Sequence, residues 1–347
     1  MFNKIRSIIF KLDPELAHDL AIKALKYNFI PNNKIPTNNL VETEIFGKKI
    51  SSPIGLAAGF DKDAEVYNSF YKLGFSFVEV GTITPLKQYG NPKPRIFRLE
   101  EDEALINRLG FNNSGSDKVR ERLLNQEPLG LLGVNIGPNK ESKNRSNDYL
   151  ECLRKFHDIS DYLTINISSP NTENLRNFHE EYNLDQLLKK IQDEKKKIKS
   201  EVPIALKVSP DIKDSQIESI VEICIKNNIE ALIISNTTDK ERDNLIGSEK
   251  YQKGGLSGKP IEKKTNLIIN KFFNLLKGKI IIIGVGGVDS GITAYNKILA
   301  GANFVQLYTG MIFKGPGIVR EIKKDLIKLL KRDGIKNIKE LVGKKIP

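Results

Sequence analysis

The segment 166–172 brings hydroxyl and amide side chains together at the predicted end of a strand. Ser169 lies between Asn166 and Asn171, whose amides can each donate and accept hydrogen bonds. An unperturbed serine hydroxyl is a very poor base, so Ser169 could remove a proton only by concerted transfer, relayed through water or a hydroxyl such as that of Thr172. By itself, the Ser-Ser-Pro-Asn sequence is more typical of a plain turn than of a catalytic loop.

Short β-branched apolar runs alternate with polar helical segments from residue 53 onwards. About eight βα units over roughly 270 residues have the pattern and size of an α/β fold, the (β/α)8 TIM barrel. The predicted strands are 53–58, 75–80, 131–136, 162–167, 203–208, 231–235, 280–285 and 304–308.

Polar residues or glycines stand at the end of nearly every predicted strand. In a parallel barrel all of these positions fall on the carboxyl-terminal face, where active sites are built. A doubly wound sheet would instead concentrate its chemistry at one switch point, and the even spread along this chain argues against it. The residues are Gly59, Thr82, Asn135, Asn166, Lys207, Asn236, Thr237, Gly286, Gly287, Tyr308 and Thr309.

The chain of 347 residues carries a formal net charge of +12, from 55 Lys and Arg against 43 Asp and Glu. This excess is compatible with an acidic partner such as anionic lipid, nucleic acid or an anionic substrate, and equally with a lysine-rich solvated surface. Cys152 and Cys224 fall in predicted helices without a partner motif, which fits a reducing compartment rather than a disulfide framework. The longest apolar run, 280–288, is too short to span a bilayer, and no secretory signal is recognisable.

The first 40 residues differ from the rest and predict two short amphipathic helices. Apolar residues in segment 2–12 recur at helical spacing, and Asp13-Pro14 is typical of an N-cap and first turn that open a second helix through Tyr27. Pro31 and Pro36 are predicted to end it. Such a pair could plug the amino-terminal end of the barrel, or lie in a membrane interface.

Four segments, in this order, resemble the signature segments of the dihydroorotate dehydrogenases. They are 57–62 (Ala-Ala-Gly-Phe-Asp-Lys), 107–112 (Asn-Arg-Leu-Gly-Phe-Asn), 166–172 and 284–287 (Gly-Val-Gly-Gly). The resemblance covers essentially the whole chain. The helical extension and the serine at the base position resemble the quinone-dependent, membrane-associated class 2, because soluble class 1 enzymes carry a cysteine there.

The resemblance implies oxidation of dihydroorotate to orotate in pyrimidine biosynthesis, with a proton lost from the carbon next to a carbonyl and a hydride passed to N5 of FMN. Ser169 would be the base, and Lys62 would meet the substrate carboxylate. The implied substrate-binding residues are Lys62, Asn107, Arg108, Leu109, Gly110, Phe111, Asn166, Asn171, Asn236 and Thr237. Taken singly, each of these Asn residues is also typical of a turn or helix cap.

FMN needs a phosphate cradle and a positive charge near its ring. Gly286-Gly287 and Tyr308-Thr309 fit the usual barrel phosphate site, and Lys207 would stabilise the reduced flavin. The implied cofactor-binding residues are Ala58, Gly59, Phe60, Asp61, Lys62, Thr82, Asn135, Asn166, Lys207, Ser235, Gly258, Gly286, Gly287, Tyr308 and Thr309.

In class 2 enzymes the amino-terminal helices frame a tunnel for the quinone, and His18 and Arg98 match positions at its inner end. The resemblance therefore implies a helical extension over residues 1–40 that also contacts the membrane, and an FMN-binding barrel over 41–347. We expect a peripheral protein on the cytoplasmic face of the cell membrane, without a nucleic-acid partner. His157 and His179 have no motif support, and no metal-ligand spacing or P-loop is present.

Two alternatives remain open at this point. One is another FMN barrel such as a tRNA dihydrouridine synthase, which would explain the basic charge but would need a cysteine acid and an RNA-binding domain. The other is a non-catalytic basic barrel that binds nucleic acid or lipid and holds no flavin.

Overall fold

The computed structural model describes residues 2–30 and 37–344, and the elements in these ranges alternate largely between strand and helix. The strands are β1 (Thr43–Ile45), β2 (Lys48–Ile50), β3 (Ile54–Leu56), β4 (Phe77–Ile83), β5 (Ile96–Leu99), β6 (Ala104–Asn107), β7 (Leu131–Ile136), β8 (Tyr162–Asn166), β9 (Ile204–Val208), β10 (Ala231–Ile234), β11 (Gly255–Gly258), β12 (Ile281–Val285) and β13 (Phe304–Leu307). The helices are α1 (Phe2–Ile9), α2 (Pro14–Lys26), α3 (Tyr67–Lys72), α4 (Ser116–Leu124), α5 (Arg145–Phe156), α6 (Glu181–Lys197), α7 (Asp214–Lys226), α8 (Glu262–Leu276), α9 (Gly291–Leu299), α10 (Thr309–Lys314) and α11 (Ile318–Arg332).

Eight strands close into a parallel barrel in the order β3, β4, β7, β8, β9, β10, β12 and β13. The predicted (β/α)8 TIM barrel is therefore confirmed, and each predicted strand overlaps an observed one. The largest difference is in β4, which extends to Ile83 and whose register with β7 shifts between Val80 and Ile83. Gly81 and Thr82 interrupt the apolar run at this point, so the pattern predicted the end of the strand at Val80.

The barrel interior has an apolar end and a polar end. Successive residues of a strand point to opposite faces, so every second residue of a barrel strand points inward. At the amino-terminal end the inward residues form an apolar cluster that includes Phe77, Tyr162 and Phe304. Toward the carboxyl end the inward positions of the same strands hold buried polar residues. They are Glu79, Asn135, Thr164, Asn166, Lys207 and Gln306.

The hairpin β1–β2 covers the amino-terminal end of the barrel. Ile45 and Ile50 belong to the apolar interior cluster, and the ring of Phe46 packs against that of Tyr162 with centroids 5.3 Å apart. The interpretation of the two amino-terminal helices as a plug for this end is therefore wrong. A short hairpin does this instead, turning at Gly47 with φ of +75°.

A three-stranded antiparallel sheet, which we call the upper sheet, lies over the carboxyl end of the barrel and was not predicted. Its order is β11–β6–β5, and β6 pairs with both neighbours, so that Asn107 lies opposite Gly255 on one side and Ile96 on the other. Its apolar residues form a separate small core with Ile261. The sheet brings the segment after β6 to the same face as the barrel strand ends.

The helices α1 and α2 begin as predicted and lie beside this upper sheet. Asp13 caps α2, accepting hydrogen bonds from the backbone of Glu15 and Leu16 at 3.0 Å each, and Pro14 opens the helix. Ile22 is the only buried residue of α2. Arg95 holds the helix to the barrel through hydrogen bonds of 2.6 and 3.1 Å to the Glu15 carboxylate. Pro31 and Pro36, predicted to end this region, lie outside the described residues.

Cys152 and Cys224 are buried free thiols in α5 and α7, where the sequence predicted helices. Across residues 2–30 and 37–344, the helices are all too short or too polar to traverse a bilayer.

Candidate active site

Three polar side chains meet at the carboxyl ends of β4, β7 and β8. The Thr82 hydroxyl donates to Asn135 Oδ1 at 2.6 Å, and Asn166 Nδ2 donates to both Thr82 Oγ1 at 3.0 Å and Asn135 Oδ1 at 3.1 Å. All three residues are buried. The structure thus brings together three residues that the sequence assigned to the cofactor, and their own hydrogen bonds hold each side chain in one orientation.

The polar contacts continue from this cluster to the end of β10. The Ser168 hydroxyl donates to Asn166 Oδ1 at 2.8 Å and accepts from Asn236 Nδ2 at 2.9 Å. Asn236 Oδ1 in turn accepts from the backbone N–H of Thr237 at 2.7 Å. Asn166 and Asn236, predicted as substrate amides on different strands, are therefore joined through a serine that the sequence did not single out.

Ser169 lies next to the upper sheet. It is buried, and its Oγ accepts a hydrogen bond of 3.2 Å from the backbone N–H of Asn171. Asn171 Nδ2 reaches the carbonyl oxygen of Asn107 at 3.1 Å, and Asn107 Nδ2 reaches the carbonyl oxygen of Gly255 at 3.4 Å. The base candidate and two predicted substrate amides are thus neighbours. Because Asn171 N–H donates to Ser169 Oγ, it favours negative charge on that oxygen.

The loop that carries Ser169 is fixed by Arg176, which the sequence did not indicate. Its guanidinium donates to the carbonyl oxygens of Ser168 and Thr237 at 3.1 Å each and to Asp211 at 3.1 Å. Asp211 also accepts from Lys264 at 2.7 Å. One side chain therefore connects the loops that follow β8, β9 and β10.

Lys207 faces a cleft that we call the central cleft. The cleft lies at the carboxyl ends of β9, β10, β12 and β13. The site residues predicted from sequence that line it are Ala58, Lys207, Ser235, Asn236, Thr237, Gly258, Gly286, Gly287, Tyr308 and Thr309. Lys207 is 5% exposed, and its ammonium has no hydrogen-bond partner among the residues that the structure describes. Burial lowers the pKa of Lys207, and the charge of Glu79 opposes that change. A buried, unpaired ammonium of this kind suits an anionic ligand group.

The rim of the central cleft at Gly286 and Gly287 has no room for side chains. Gly287 has φ of +75°, and a Cβ there would lie 2.6 Å from Cα of Glu262. The close turn leaves bare backbone at the cleft, and Thr309 begins α10 opposite it. Bare backbone N–H groups at a tight turn of this kind can bind an anionic group such as a phosphate.

Lys62 and Asp61 line an outer cleft between α2 and the barrel and are not among the residues that line the central cleft. Lys62, Leu109 and Asn112 line this outer cleft, and burial lowers the pKa of Lys62 to about 8. Burial raises the pKa of Asp61 to about 6, although its carboxylate accepts hydrogen bonds from the backbone of Glu65 and Val66 at 2.8 Å each. Asp61 therefore supports the turn that presents Lys62.

The side chains in the rest of the segment after β6 point in different directions. Arg108 turns outward, donating to Gln252 at 3.0 Å and to the Pro94 carbonyl at 2.9 Å. Its backbone N–H donates to the Arg95 carbonyl at 2.8 Å and its carbonyl accepts from Asn91 Nδ2 at 2.9 Å, so both its side chain and its backbone have protein partners. Gly110 accepts from Gln88 Nε2 at 2.8 Å. Phe111 points to the barrel, because a Cβ on Gly137 would lie 3.0 Å from its ring.

A third space, the apolar cavity, has a volume of about 400 Å³ and lies between the amino-terminal helices and the barrel. His18 and Arg98, which the family resemblance assigns to one end of a quinone tunnel, both line this cavity. Arg98 donates to the carbonyl of Phe10 at 2.7 Å and stacks on its ring, 4.5 Å from the centroid. Burial lowers the pKa of His18 to about 3, so its ring is neutral.

Phe60 and Tyr308 stand between the cavity and the clefts. Their rings pack edge to face with centroids 5.4 Å apart, and Phe60 also contacts the ring of His18 at 4.8 Å. Tyr308 lines both the central cleft and the apolar cavity, and Phe60 lines the cavity and the outer cleft. Gly59 supports this region through a hydrogen bond from its N–H to the Gly81 carbonyl at 2.8 Å.

His179 has a structural role, since Nδ1 lies 2.9 Å from the Arg176 carbonyl and Nε2 accepts from the backbone of Ser209 at 3.1 Å. Within the described ranges no cluster of three His, Cys, Asp or Glu side chains is arranged to hold a metal ion.

Comparisons with known proteins agree on one family. The family profile described as "Dihydroorotate dehydrogenase" matches residues 40–330. The protein named "Dihydroorotate dehydrogenase (quinone)" from Bartonella henselae is 44% identical over 338 residues, covering 96% of this chain and 93% of its own length. The protein of the same name from Agrobacterium fabrum is 41% identical over 340 residues, covering 97% of this chain and 94% of its own length. The crystal structure of DHODH from Eimeria tenella in complex with ferulenol superimposes with a TM-score of 0.92 at 37% identity, covering 95% of each chain. The chain therefore belongs to the dihydroorotate dehydrogenase family.

Proposed function

We propose that this chain oxidises dihydroorotate to orotate in pyrimidine biosynthesis, with bound FMN as hydride acceptor and a quinone as terminal electron acceptor. Family membership and the names of relatives that match 96% or more of the chain support the reaction and the quinone. The observation that carries the assignment to this site is Lys207, a buried ammonium without a hydrogen-bond partner in the described part of the chain, facing the central cleft. Neither the tRNA dihydrouridine synthase nor the non-catalytic barrel is supported by these comparisons.

The residues of the central cleft fit FMN. Gly286 and Gly287 leave bare backbone for its phosphate, together with Tyr308 and Thr309. Lys207 would lie by the ring, where its charge stabilises an anionic reduced flavin. FMN, when bound, supplies the hydride acceptor that protein side chains lack. The remaining predicted contacts are Ala58, Gly59, Phe60, Asp61, Lys62, Thr82, Asn135, Asn166, Ser235 and Gly258.

The residues around Ser169 fit a flat ring with amide-like edges. Asn107, Asn171 and Asn236 each present an amide that can donate and accept, and Thr237 adds a hydroxyl beside them. Lys62 supplies positive charge for the substrate carboxylate. Arg108, Leu109, Gly110 and Phe111 complete the predicted set.

Ser169 would take the proton from the carbon next to the substrate carbonyl. The Asn171 N–H at 3.2 Å stabilises the charge that develops on Ser169 Oγ as the proton moves. The burial of Ser169 keeps bulk water from the reacting carbon, so the proton must leave through a nearby hydroxyl. Thr172 is buried in the same loop and is our candidate for that step.

The apolar cavity would admit the quinone, with Arg98 and His18 as polar groups at its inner end. We assign residues 1–40 to this extension and 41–347 to the FMN-binding barrel. Consistent with that boundary, the family profile begins at residue 40, and the Leu40 carbonyl accepts a hydrogen bond from Ile338 N–H at 2.7 Å.

We also propose that the extension attaches the protein peripherally to the cytoplasmic face of the cell membrane. The extension exposes large apolar side chains alongside basic residues, the composition of an interfacial helix. The exposed apolar residues are Ile5, Ile8, Leu16, Leu20, Tyr27 and Phe29.

The reaction is tested by steady-state turnover of the FMN-loaded protein with dihydroorotate. We expect yellow protein that reduces a soluble quinone analogue at least tenfold faster than it reduces fumarate or NAD. A tenfold preference corresponds to about 1.4 kcal/mol of differential binding. Colourless protein that cannot be loaded with FMN, or a preference for NAD, would contradict the proposal.

Replacing Ser169 by Ala removes the base. We expect the rate of flavin reduction by dihydroorotate to fall by a factor of about 10² to 10⁴, the usual contribution of general-base catalysis, with FMN still bound. Stopped-flow absorbance measures this rate. The matched control is Ser160→Ala, which should leave the rate unchanged. The Ser160 hydroxyl lies before the start of β8, where it donates to the Phe156 carbonyl. Normal reduction in Ser169→Ala would remove Ser169 from this role.

Replacing Ala21 by Phe narrows the apolar cavity. We expect quinone turnover to fall at least tenfold while anaerobic flavin reduction by dihydroorotate is unchanged, because the two substrates use different spaces. The control Ala21→Ser adds a polar atom with little bulk and should retain most of the quinone turnover. Equal loss of both half-reactions in Ala21→Phe would show that the cavity does not serve the quinone alone.

Replacing Ile8 by Asp places a charge on the exposed apolar side of α1. We expect weaker cosedimentation with vesicles of phosphatidylglycerol and phosphatidylethanolamine, since a buried apolar side chain contributes about 1.5–3 kcal/mol. Leu267→Asp on α8 is the matched control, because Leu267 and Ile8 are both 66% exposed. If both variants bind vesicles as the parent does, α1 is not the attachment site.

A further inference from the structure

Glu79 is a fully buried carboxylate inside the barrel, beneath the proposed flavin site. Its Oε1 accepts from Asn135 Nδ2 at 2.7 Å, and its Oε2 accepts from the Tyr162 hydroxyl and from Gln306 Nε2 at 2.9 Å each. Gln306 Nε2 also donates to the Tyr162 oxygen at 3.3 Å, which directs the Tyr162 hydrogen to Glu79. The carboxylate therefore acts only as an acceptor at the end of a chain of polar groups.

Every hydrogen bond in that chain points toward Glu79. Asn135 donates to Glu79, and Thr82 and Asn166 donate to Asn135. The order then passes through Ser168, which donates to Asn166 and accepts from Asn236. The chain thus extends from the barrel interior to an amide that we assign to the substrate.

The chain could run in the opposite direction without any change of backbone. An amide that rotates by half a turn exchanges its donor and its acceptor, and a hydroxyl can donate either way. A carboxylate cannot donate, so Glu79 breaks this symmetry at the inner end of the chain. At the outer end two backbone N–H groups, which can only donate, favour the same direction: Thr237 N–H donates to Asn236 Oδ1 at 2.7 Å and Ser168 N–H donates to Asn166 Oδ1 at 3.2 Å. With the chain reversed, Asn236 would turn its oxygen to Ser168 and its NH₂ group elsewhere, and the substrate would meet the opposite pattern of donor and acceptor.

We propose that Glu79 is a positioning residue that, together with these two backbone N–H groups, sets the donor and acceptor orientation of Asn135, Asn166 and Asn236, and through Asn236 the affinity for dihydroorotate and orotate. This inference rests on the proposed function, because its ligand is the substrate pair named there. Glu79 itself touches neither ligand in this scheme. Its negative charge also favours the charged form of Lys207, which burial disfavours, so the pKa of Lys207 falls less than burial alone would cause.

The test is the affinity of the FMN-loaded protein for orotate, measured by the change in flavin absorbance on titration. Glu79→Met removes the acceptor at similar volume, and we expect orotate binding about tenfold weaker. Ser168→Ala interrupts the chain near Asn236 and should weaken orotate binding to a similar extent, which keeps the test decisive if Glu79→Met does not fold. Tyr162→Phe removes a hydrogen bond on the other side of the same carboxylate and should stay within about twofold of the parent protein.

A charge swap separates orientation from packing. In the double variant Glu79→Gln with Gln306→Glu, the carboxylate moves to position 306, across the 2.9 Å hydrogen bond. The amide now at position 79 must turn its NH₂ group toward that carboxylate. Its oxygen then faces Asn135, so the direction of the chain is kept and orotate affinity should return to within about threefold of the parent. A merely structural role would give the double variant no such recovery.

Three results would overturn the inference: parent-like orotate binding in Ser168→Ala or in folded Glu79→Met, a loss in Tyr162→Phe as large as in Glu79→Met, or a charge-swap variant that binds as weakly as Ser168→Ala. If the parent protein itself holds FMN but shows no response to orotate, the proposed function fails instead. The two failures are therefore distinguishable in one set of titrations.

Discussion

Closure of the barrel is the constraint on which the rest of this molecule depends. In a closed parallel barrel every second residue of each strand must point inward, and the interior has room for only a few layers of side chains. Here the lower layer is apolar and the upper layer is polar. Asn135, Asn166 and Lys207 are consequently held by the same register that closes the sheet, in which Asn166 lies opposite Lys207.

A polar layer inside a barrel requires its own hydrogen bonds, because buried polar groups without partners cost about 1–3 kcal/mol each. Most of the layer satisfies this requirement internally, although Thr164 Oγ1 and Gln306 Oε1 lack partners among the described residues. Lys207 is the exception that matters chemically, since its ammonium is turned toward the cleft. The layer is therefore a support for the site as well as part of the core.

The spaces above this layer are separated by aromatic side chains. Phe60 and Tyr308 pack between the apolar cavity and the clefts, and the neutral ring of His18 extends this wall. In the proposed function, the wall would keep water and the polar substrate away from the quinone while leaving a short path for electrons. The segment 57–62 and the end of β13 thus serve both half-reactions.

Much of the barrel and of its carboxyl-terminal rim could be predicted from sequence, because the patterns that indicate them lie within short stretches of the chain. Strand periodicity and the glycines and amides that follow each run are properties of adjacent residues, so 131–136 and 204–208 were located closely. The upper sheet joins segments about 150 residues apart, and the Arg95–Glu15 ion pair spans 80 positions. Glu79 was overlooked because a single carboxylate in an apolar strand has no significance until the opposing strands are known.

The sparse burial of the amino-terminal helices has a consequence for their motion. In α2 only Ile22 is buried, and Arg95 supplies the main polar contact with the barrel. Elements with so few buried contacts can detach locally at a free energy far below that of global unfolding. Backbone amides of α2 should therefore exchange with solvent deuterium through brief undocking, while those of the barrel strands stay protected. The apolar cavity can therefore open by local undocking of α2, and the barrel that carries the active-site residues need not move.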